Sequence, residues 1–544
     1  MRNVPFYLPF SQVLRLLRRV TISTSTSYYE GAEMTQLDGQ QLQNQPDVSF
    51  EGRIVLSAGT KILTPLIFLI VIFSYFPILN APITADDYYW FSPAIVQNPW
   101  QYFVRDMLPD DPDADFLRPL PFLTFALENH WRGAFPILPH CTNLFFHLAT
   151  MILVGKLISW CTKKDQIKGG ALAPLAGMLL FGLHPQATGA VCWISARPDI
   201  MSGFFGAAGI YIWRISSERG PFSGWRWAAV LTLILSLLSK EVGITFPAAI
   251  FLWELGRWIR HHGSLAIIPR VISLAQPLVL IGAFFLWRWL IFRGVGGYSN
   301  YGMSHLNWRM PIGYLAVVLW PFSNPGPVPS LGFCLVLVSL TILIIIGLSR
   351  NKRHNPTQTR LPWFLPLLIW IIPPLMFLPS QGFLSIRDVL FHAEARLSYV
   401  SIIGFAILAG WLFRILQSLR FGRLIASISL ATFLCFCVWA QQTENLRWIK
   451  ASHLADSIVE QTMKLIPEPK TNAILIFSKV PLCLDRWYYV FGIGLPEAIQ
   501  YHYQRADLQV VRFPSPEMIA NPPQNSFVLK FDYPSSSMIL VNHK

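Results

Sequence analysis

The residues best suited to chemistry are two adjacent carboxylates, Asp86 and Asp87, in the segment "ITADDYYW". A carboxylate can deprotonate an attacking hydroxyl, so either residue is a candidate general base. Adjacent side chains point in different directions on a helix or a strand, so only one of the two can address a given hydroxyl. The other is then a metal ligand or a structural partner. The alternative for both is a solvated acidic loop or a helix cap.

A second group of ionisable residues falls at the ends of apolar runs. Arginine could hold a phosphate through two hydrogen bonds, and lysine could hold it as a point charge. A base on a nucleophile and cations on a departing phosphate are together what glycosyl transfer requires. For each residue taken singly, the alternative is an anchor in the lipid headgroup layer. The group comprises Arg118, His184, Arg197, Asp199, Lys240, Glu241, Arg293, Glu394 and Arg396.

Composition indicates the elements that must position these side chains. Of the 544 residues, 53% are hydrophobic and only 13% are charged, with a mean hydropathy of +0.43, which is typical of a multi-pass membrane protein. The net charge of +14 lies in short loops, so it indicates orientation and not a nucleic-acid partner. The seven cysteines show no metal-site spacing. Residues 1–60 are polar, and we expect them to be disordered and cytoplasmic.

Apolar runs between residues 61 and 440 predict about eleven transmembrane helices. Basic residues before the first run place its start in the cytoplasm, so the loop 81–138 is expected outside. Two short spans should meet at "HPQATGAVCWISARPD", and a hairpin should place "LSKE" at its outer turn. The spans are expected near 62–79, 140–160, 271–292, 331–349, 361–379, 397–413 and 424–440, besides those two pairs.

Residues 441–544 are expected outside the membrane as a small α/β domain. A polar, amphipathic stretch near 443–465 predicts a helix. The runs "AILIF", "LQVVRF", "SFVLKF" and "SMILV" predict strands. The fold class is therefore an all-α multi-pass membrane protein with a small C-terminal α/β extracytoplasmic domain.

Several blocks resemble a known family. "ADDYYW", "FLRPLPFLTFALENHW" and "LPHCTNLFFHLATMIL" resemble the opening of the GT-C superfamily of polyprenyl-phosphate-dependent glycosyltransferases. "LLFGLHPQATGAVCWISARPDIMSGFF", "LLSKEVGITFPAAI" and "FHAEARLSYVSIIGF" resemble the membrane region of the TMTC-type O-mannosyltransferases and their bacterial relatives. The resemblance covers about residues 62–440. It implies an eleven-span GT-C fold and inverting transfer of a sugar from a polyprenyl phosphate to an extracytoplasmic acceptor hydroxyl.

The resemblance also implies roles for individual residues. Asp86 matches the acidic residue proposed as catalytic base in the family, and Asp87 matches its neighbour. The positions thought to shape the donor pocket are Arg118, His184, Arg197, Asp199, Lys240, Glu241 and Arg396. Three simpler readings stay open: His184 could end a span through a local hydrogen bond, Arg118 could anchor a helix, and Arg396 could flank the next span.

The partners implied are a polyprenyl-phosphate-linked sugar donor, the lipid bilayer, and a protein or glycolipid acceptor. The acceptor stays open because a tail of about 100 residues stands where eukaryotic members carry tetratricopeptide arrays. No cofactor is certain, and a divalent cation at Asp86 or Asp87 is an open alternative, since hard cations take carboxylates. A bacterial inner or plasma membrane is favoured over the endoplasmic reticulum. The competing function is a lipid-linked sugar transporter or flippase, although such proteins usually place polar residues near the bilayer midplane.

Overall fold

Helices occupy most of the described residues up to Leu465, and a small sheet follows them. The structure is a computed structural model, and the part of the chain that it describes belongs to one unit, Leu56–Lys544. The predicted span 331–349, Glu394 and the first 57 residues lie outside the described residues. Described are residues 58–84, 86–92, 96–107, 115–131, 136–163, 172–260, 267–294, 296, 311, 314–315, 318–319, 364–375, 395–417, 421–485, 488–491 and 494–543.

Apolar runs form the helices, because a helix satisfies every backbone hydrogen bond within its own segment. In chain order the α-helices with described bounds are α1 (Ala58–Tyr75), α2 (Asp87–Trp90), α3 (Pro119–Asn129), α4 (Ile137–Lys163), α5 (Leu172–Gly182), α6 (Thr188–Cys192), α7 (Arg197–Ser216), α8 (Gly224–Ser239), α9 (Thr245–Arg260), α10 (Ile267–Phe292), α11 (Phe364–Leu375), α12 (Tyr399–Gln417), α13 (Gly422–Leu465), α14 (Leu495–Tyr503) and α15 (Pro516–Ala520).

Six described helices are long and apolar enough to cross a membrane, and a bent pair raises the number to seven. The bend of 50° lies between α5 and the segment Pro185–Cys192. Helices α8 and α11 are apolar but shorter than a typical span. The membrane class is therefore supported, whereas the number of eleven spans stays a prediction.

Two breaks in the helical run bring polar residues to helix ends. His184 begins a short 3-10 helix, Pro185–Ala187, because its ring accepts a hydrogen bond from the Gln186 backbone. Lys240 is fully extended, with φ −163° and ψ 154°, and lies between α8 and α9. Gly243 follows it, packed so tightly that an added Cβ would lie 2.6 Å from the Ser236 carbonyl oxygen.

The sheet of the C-terminal part has the strand order β4-β1-β5-β6. Strand β1 (Ile474–Ser478) pairs in parallel with β4 (Gln509–Val511) and β5 (Ser526–Asp532), and β6 (Ser537–His543) pairs with β5 in the antiparallel sense. Two short strands, β2 (Cys483–Leu484) and β3 (Tyr488–Tyr489), form a separate ribbon. The small sheet expected in the tail is confirmed.

The helix expected near residues 443–465 is longer than the sequence suggested. It is the second half of α13, whose 44 residues continue without a break from the last apolar run. At 1.5 Å per residue this helix is about 65 Å long, roughly twice the hydrocarbon thickness of a bilayer. Its second half carries the polar contacts with the C-terminal domain, so no flexible linker lies at residue 441.

Candidate active site

Asp87 is held inside the protein. It is 1% exposed, and its Oδ1 accepts the Ser195 backbone N–H at 2.8 Å and the Ser195 hydroxyl. Its Oδ2 accepts the Thr84 N–H at 3.1 Å. Burial raises the pKa of Asp87 to about 7, although the hydrogen bonds from Ser195 and Thr84 act in the opposite direction. Both oxygens are thus occupied by the protein, which suits a structural tie between the acidic segment and the start of α7.

Asp86 is placed differently from its neighbour. It precedes α2 and is partly exposed, and its side chain does not cap that helix. Of the two aspartates, Asp86 is the one with solvent access, so a base at this position stays a prediction.

The C-terminal domain packs against this acidic segment, which the sequence did not predict. The Tyr88 hydroxyl and His502 Nε2 share a hydrogen bond of 2.9 Å, and the Tyr88 ring lies 5.8 Å from that of Tyr501. The Thr84 hydroxyl donates to two backbone carbonyls of the C-terminal domain, those of residues 489 and 490, each at 3.2 Å. Helix α14 and the β2–β3 ribbon therefore lie beside the candidate base.

Glu497 is a further acidic residue that this packing brings near Asp86. It lies four residues before Tyr501, on the same face of α14. Burial raises the pKa of Glu497 to about 7, and the negative charge of Asp86 adds to the rise. Burial lowers the pKa of Arg512, and the charge of Asp86 opposes that change. No sequence signal linked these two residues to residue 86, because more than 400 positions separate them.

Lys240 and Asp199 form a buried ion pair. The Lys240 ammonium lies 2.7 Å from both carboxylate oxygens of Asp199, in the first turn of α7. Burial lowers the pKa of Lys240 to about 8; Asp199 opposes this shift, and the positive charges of Arg118 and Arg396 add to it. Lys240 is therefore within electrostatic range of Arg118 and Arg396, two of the cations predicted with it from the sequence.

Glu241 joins two arginines from distant parts of the chain. Its Oε2 lies 3.0 Å from Arg118 Nη2, and its Oε1 lies 3.3 Å from Arg288 Nη1. The Arg118 side chain is 13% exposed, and that of Arg288 is fully buried. Arg288 was not among the predicted site residues, because its position near the end of an apolar run gives no sign of its partners.

The guanidinium of Arg197 is engaged entirely within the protein. It is wholly buried, and it pairs with Glu128 at 2.9 Å. It also donates to Asn143 Oδ1 at 2.9 Å, to the Thr124 hydroxyl at 3.0 Å and to the Pro139 carbonyl at 3.1 Å. These contacts hold α3, α4 and α7 together and favour a structural role over a phosphate contact.

His184 is likewise held by local contacts. It is fully buried, and its Nε2 lies 2.8 Å from the Val318 carbonyl while its Nδ1 accepts from Gln186. The ring is therefore assigned as the neutral tautomer with the proton on Nε2. This geometry corresponds to the simpler reading, in which His184 ends an apolar helix.

Arg396 lies over an aromatic cluster that reaches the C-terminal domain. Its guanidinium carbon lies 4.3 Å from the centroid of the Trp193 ring. Trp193 in turn stacks on Trp448 at 5.8 Å and packs against Tyr489 at 4.8 Å. A cation–π contact of this kind helps to hold the guanidinium in place over the ring face.

The acidic segment and the "LSKE" segment lie at the same end of the helices. The link between them is the start of α7: Ser195, which binds Asp87, lies four residues before Asp199, which binds Lys240. Both segments were predicted to lie on the same side of the membrane, although they are far apart along the chain.

The ion-pair cluster around Lys240 and Glu241 contains more cations than carboxylates. Its two carboxylates are Asp199 and Glu241, and four basic side chains surround them. A cationic cluster beside a partly exposed aspartate suits a phosphate-bearing substrate and a hydroxyl nucleophile. The four cations are Arg118, Lys240, Arg288 and Arg396.

The described residues contain no group of three or more His, Cys, Asp or Glu side chains that could hold a metal ion. Both oxygens of Asp87 accept hydrogen bonds from the protein. A divalent cation bound at Asp86 or Asp87 stays a prediction.

Comparison with known proteins finds similarity to the O-mannosyltransferases. Mouse protein O-mannosyl-transferase TMTC1 is 28% identical over 185 residues, which is 30% of this chain and 19% of the mouse protein. Xenopus laevis tmtc2 is 29% identical over 188 residues, 31% of this chain and 22% of that protein. The matched part spans about a fifth of the length of these relatives. These matches confirm the resemblance to the TMTC-type family.

One solved structure is similar over most of its length. A crystal structure of ArnT from Cupriavidus metallidurans in the apo state matches with a TM-score of 0.46 at 12% identity, covering 87% of this chain and 93% of that one. No protein-family profile matches the chain.

Proposed function

We propose that the protein is an integral-membrane glycosyltransferase of GT-C type. It transfers a sugar, with mannose as the first candidate, from a polyprenyl-phosphate donor to an acceptor hydroxyl on the extracytoplasmic side. The observation that carries the proposal is the convergence of Asp86 with Arg118, Lys240 and Arg396 at one end of the helices. The similarity to O-mannosyltransferases supports the same conclusion.

In this reaction the acceptor oxygen attacks the anomeric carbon of the sugar. Asp86 receives the hydroxyl proton as the new carbon–oxygen bond forms. The bond between the anomeric carbon and the phosphate oxygen breaks, and the electron pair leaves on the phosphate. Attack from the face opposite the phosphate inverts the anomeric centre, so a single carboxylate base is enough.

The cations stabilise the departing phosphate. Arg396 and Arg118 could each present N–H groups to phosphate oxygens, and Lys240 adds a nearby positive charge. Asp199 and Glu241 hold Lys240 and Arg118 in position through the ion pairs described above. Arg197 and Asp87 are already bonded within the protein. In this scheme they maintain the site and do not contact the substrate.

The decisive experiment replaces Asp86 with Asn in the full chain, reconstituted in liposomes with polyprenyl-phosphate mannose and a hydroxyl-bearing acceptor peptide or glycolipid. We expect Asp86→Asn to lower kcat by about 10²- to 10⁴-fold, the range that general-base catalysis contributes. Glu218→Gln is the matched control, since Glu218 is an exposed carboxylate paired with Arg214 at the far end of α7.

A transporter gives a different result in the same liposomes. Movement of the labelled lipid-linked sugar across the bilayer by both wild type and Asp86→Asn, with no product in either, would replace the transferase proposal with the flippase alternative. Product analysis by mass spectrometry also identifies the sugar and decides between protein and glycolipid acceptors.

A further inference from the structure

A cavity lies at the other end of the same helices, away from the candidate active site. Its volume is about 290 Å³, and it is bounded by the α7–α8 connection, the end of α9 and the start of α10. Ser217, which lines it, follows the last residue of α7, whereas Asp199 lies in the first turn of that helix. A helix of 20 residues is about 30 Å long, close to the hydrocarbon thickness of a bilayer.

The cavity wall has an excess of positive charge. Its ionisable lining residues are Arg226, Arg257, Arg270 and Glu254. The single carboxylate is already engaged, because Glu254 accepts a hydrogen bond from Trp213 Nε1 at 3.0 Å and pairs with Arg257 at 3.1 Å. Arg226 and Arg270 are therefore left without a carboxylate within hydrogen-bonding distance among the described residues.

Buried guanidinium donors lining this cavity lack acceptors. Arg226 is 1% exposed, with its guanidinium carbon 3.6 Å from the centroid of the Trp213 ring. Its Nη1 reaches Gln276 at 3.5 Å, but its Nε has no hydrogen-bond partner in the described part of the chain. The same holds for Nη2 of Arg270. Since a buried charged donor left unpaired is costly, an acceptor supplied by a ligand would stabilise this arrangement.

Exposed aromatic side chains lie on the segments that bound the cavity. Trp258 lines the cavity itself, and Phe222, Trp225 and Trp227 lie next to lining residues along the chain; all four are exposed. Exposed tryptophans at the ends of membrane helices are typical of the layer of lipid head groups. A guanidinium group is planar and carries several N–H donors. The ligand that matches it is an anion with several oxygen acceptors that can reach the head-group layer.

We propose that this cavity is a second binding site, specific for a phosphate group, remote from the site of sugar transfer. A membrane phospholipid head group or a soluble phosphate could carry that group, and the recognition chemistry is the same for both. Arg226 and Arg270 bind the phosphate oxygens, and Arg257 remains paired with Glu254. The proposal is independent of the transferase activity.

The test uses the purified full chain in detergent and two probes, phosphatidylglycerol and inorganic phosphate. Diacylglycerol, which has the lipid tails without the phosphate, is the comparison lipid. Binding is measured by native mass spectrometry and by calorimetric titration. We expect Arg270→Gln and Arg226→Met each to weaken phosphate-dependent binding about tenfold or more, as expected for the loss of charged hydrogen bonds. Arg219→Gln should leave binding unchanged, because Arg219 is exposed beside Trp225 and does not line the cavity.

The two sources of phosphate give different results. Retention of phosphatidylglycerol that millimolar inorganic phosphate does not displace assigns the site to a lipid, whereas binding of inorganic phosphate alone assigns it to a soluble ligand. Equal retention of diacylglycerol and phosphatidylglycerol, or unchanged binding in Arg270→Gln with the wild-type unfolding temperature, would overturn the proposal. Arg270 is only partly buried, so this variant remains informative if Arg226→Met does not fold.

Discussion

At the scale of single residues, neighbouring side chains of the same type have unlike surroundings. Asp87 is buried among hydrogen-bond donors from Ser195 and Thr84, whereas Asp86 is partly exposed beside the C-terminal domain. Among the arginines, Arg197 is bonded within the protein, whereas Arg396 lies over the Trp193 ring. Chemistry at this site therefore depends on which residue of each type keeps access to a substrate.

The buried state of Asp87 predicts a pH dependence of stability. Burial raises its folded-state pKa to about 7 from an ordinary 3.8, so the folded protein holds a proton that the unfolded chain has released. The stability from this group is fully present below about pH 4 and is lost as the pH rises through about 7. We expect the unfolding temperature to fall over this range, and Asp87→Asn, which cannot ionise, to reduce the slope.

Glu497 must be separated from Asp87 in that measurement, since burial also raises its pKa to about 7. Glu497→Gln should remove part of the slope, and the double variant should remove more than either single change. Unfolding curves in detergent between about pH 4 and pH 8 provide the comparison. A slope in Asp87→Asn equal to that of the wild type would show that Asp87 is ionised in the folded protein.

At the scale of elements, interruptions of the apolar helices create the site. The extended residue Lys240 ends α8 and allows the next turn to carry Glu241 toward Arg118 and Arg288. Gly243 makes this turn possible, because it lies directly against the backbone at the end of α8. A continuous helix through this segment would place these two charged side chains on a helix surface away from their partners.

We expect Gly243→Ala to destabilise the protein by about 1–3 kcal/mol, the usual cost of overpacking a closely packed position. The added Cβ would lie 2.6 Å from the Ser236 carbonyl oxygen, so the turn must shift. Gly282→Ala in α10 is the control, since no atom lies within 4 Å of the Cβ built there. Thermal unfolding in detergent measures both, and equal unfolding temperatures for the two variants would contradict the role assigned to Gly243.

At the scale of the whole molecule, the C-terminal domain is part of the site. Helix α13 runs without interruption into that domain and holds it through hydrogen bonds such as Tyr488 to Glu444 at 2.6 Å. The domain then contacts the acidic segment through His502 and through the carbonyls of residues 489 and 490. In the proposed reaction, an acceptor that approaches Asp86 would therefore also meet this domain.

Tyr88→Phe tests this coupling by removing the hydroxyl that bonds His502. One hydrogen bond contributes about 1 kcal/mol, so we expect kcat/KM to fall about fivefold while the protein stays folded. Tyr533→Phe is the control, because Tyr533 is an exposed tyrosine of the same domain. Transfer activity in liposomes is the measurement, and wild-type activity in Tyr88→Phe would show that the contact does not influence the reaction.

The sequence by itself determined the features that depend on short segments. Apolar runs of about 20 residues predict membrane helices, a His-Pro pair and a charged pair predict where helices break, and alternating apolar residues predict the strands of the tail. These signals are local, because the formation of a membrane helix or a strand depends mainly on the length and apolar pattern of one segment. They identified Asp86, Lys240 and Glu241 as candidates without identifying their partners.

Only the tertiary structure decided which candidate side chains remain accessible. Asp87 is bonded by Ser195, which lies 108 residues away, and Asp199 is paired with Lys240, 41 residues away. The C-terminal domain brings Glu497 and Arg512 near Asp86, and no sequence pattern linked them to that residue. Access and charge at a site depend on packing between distant segments, and a carboxylate or guanidinium has the same sequence signature whether its partner is the protein or a substrate.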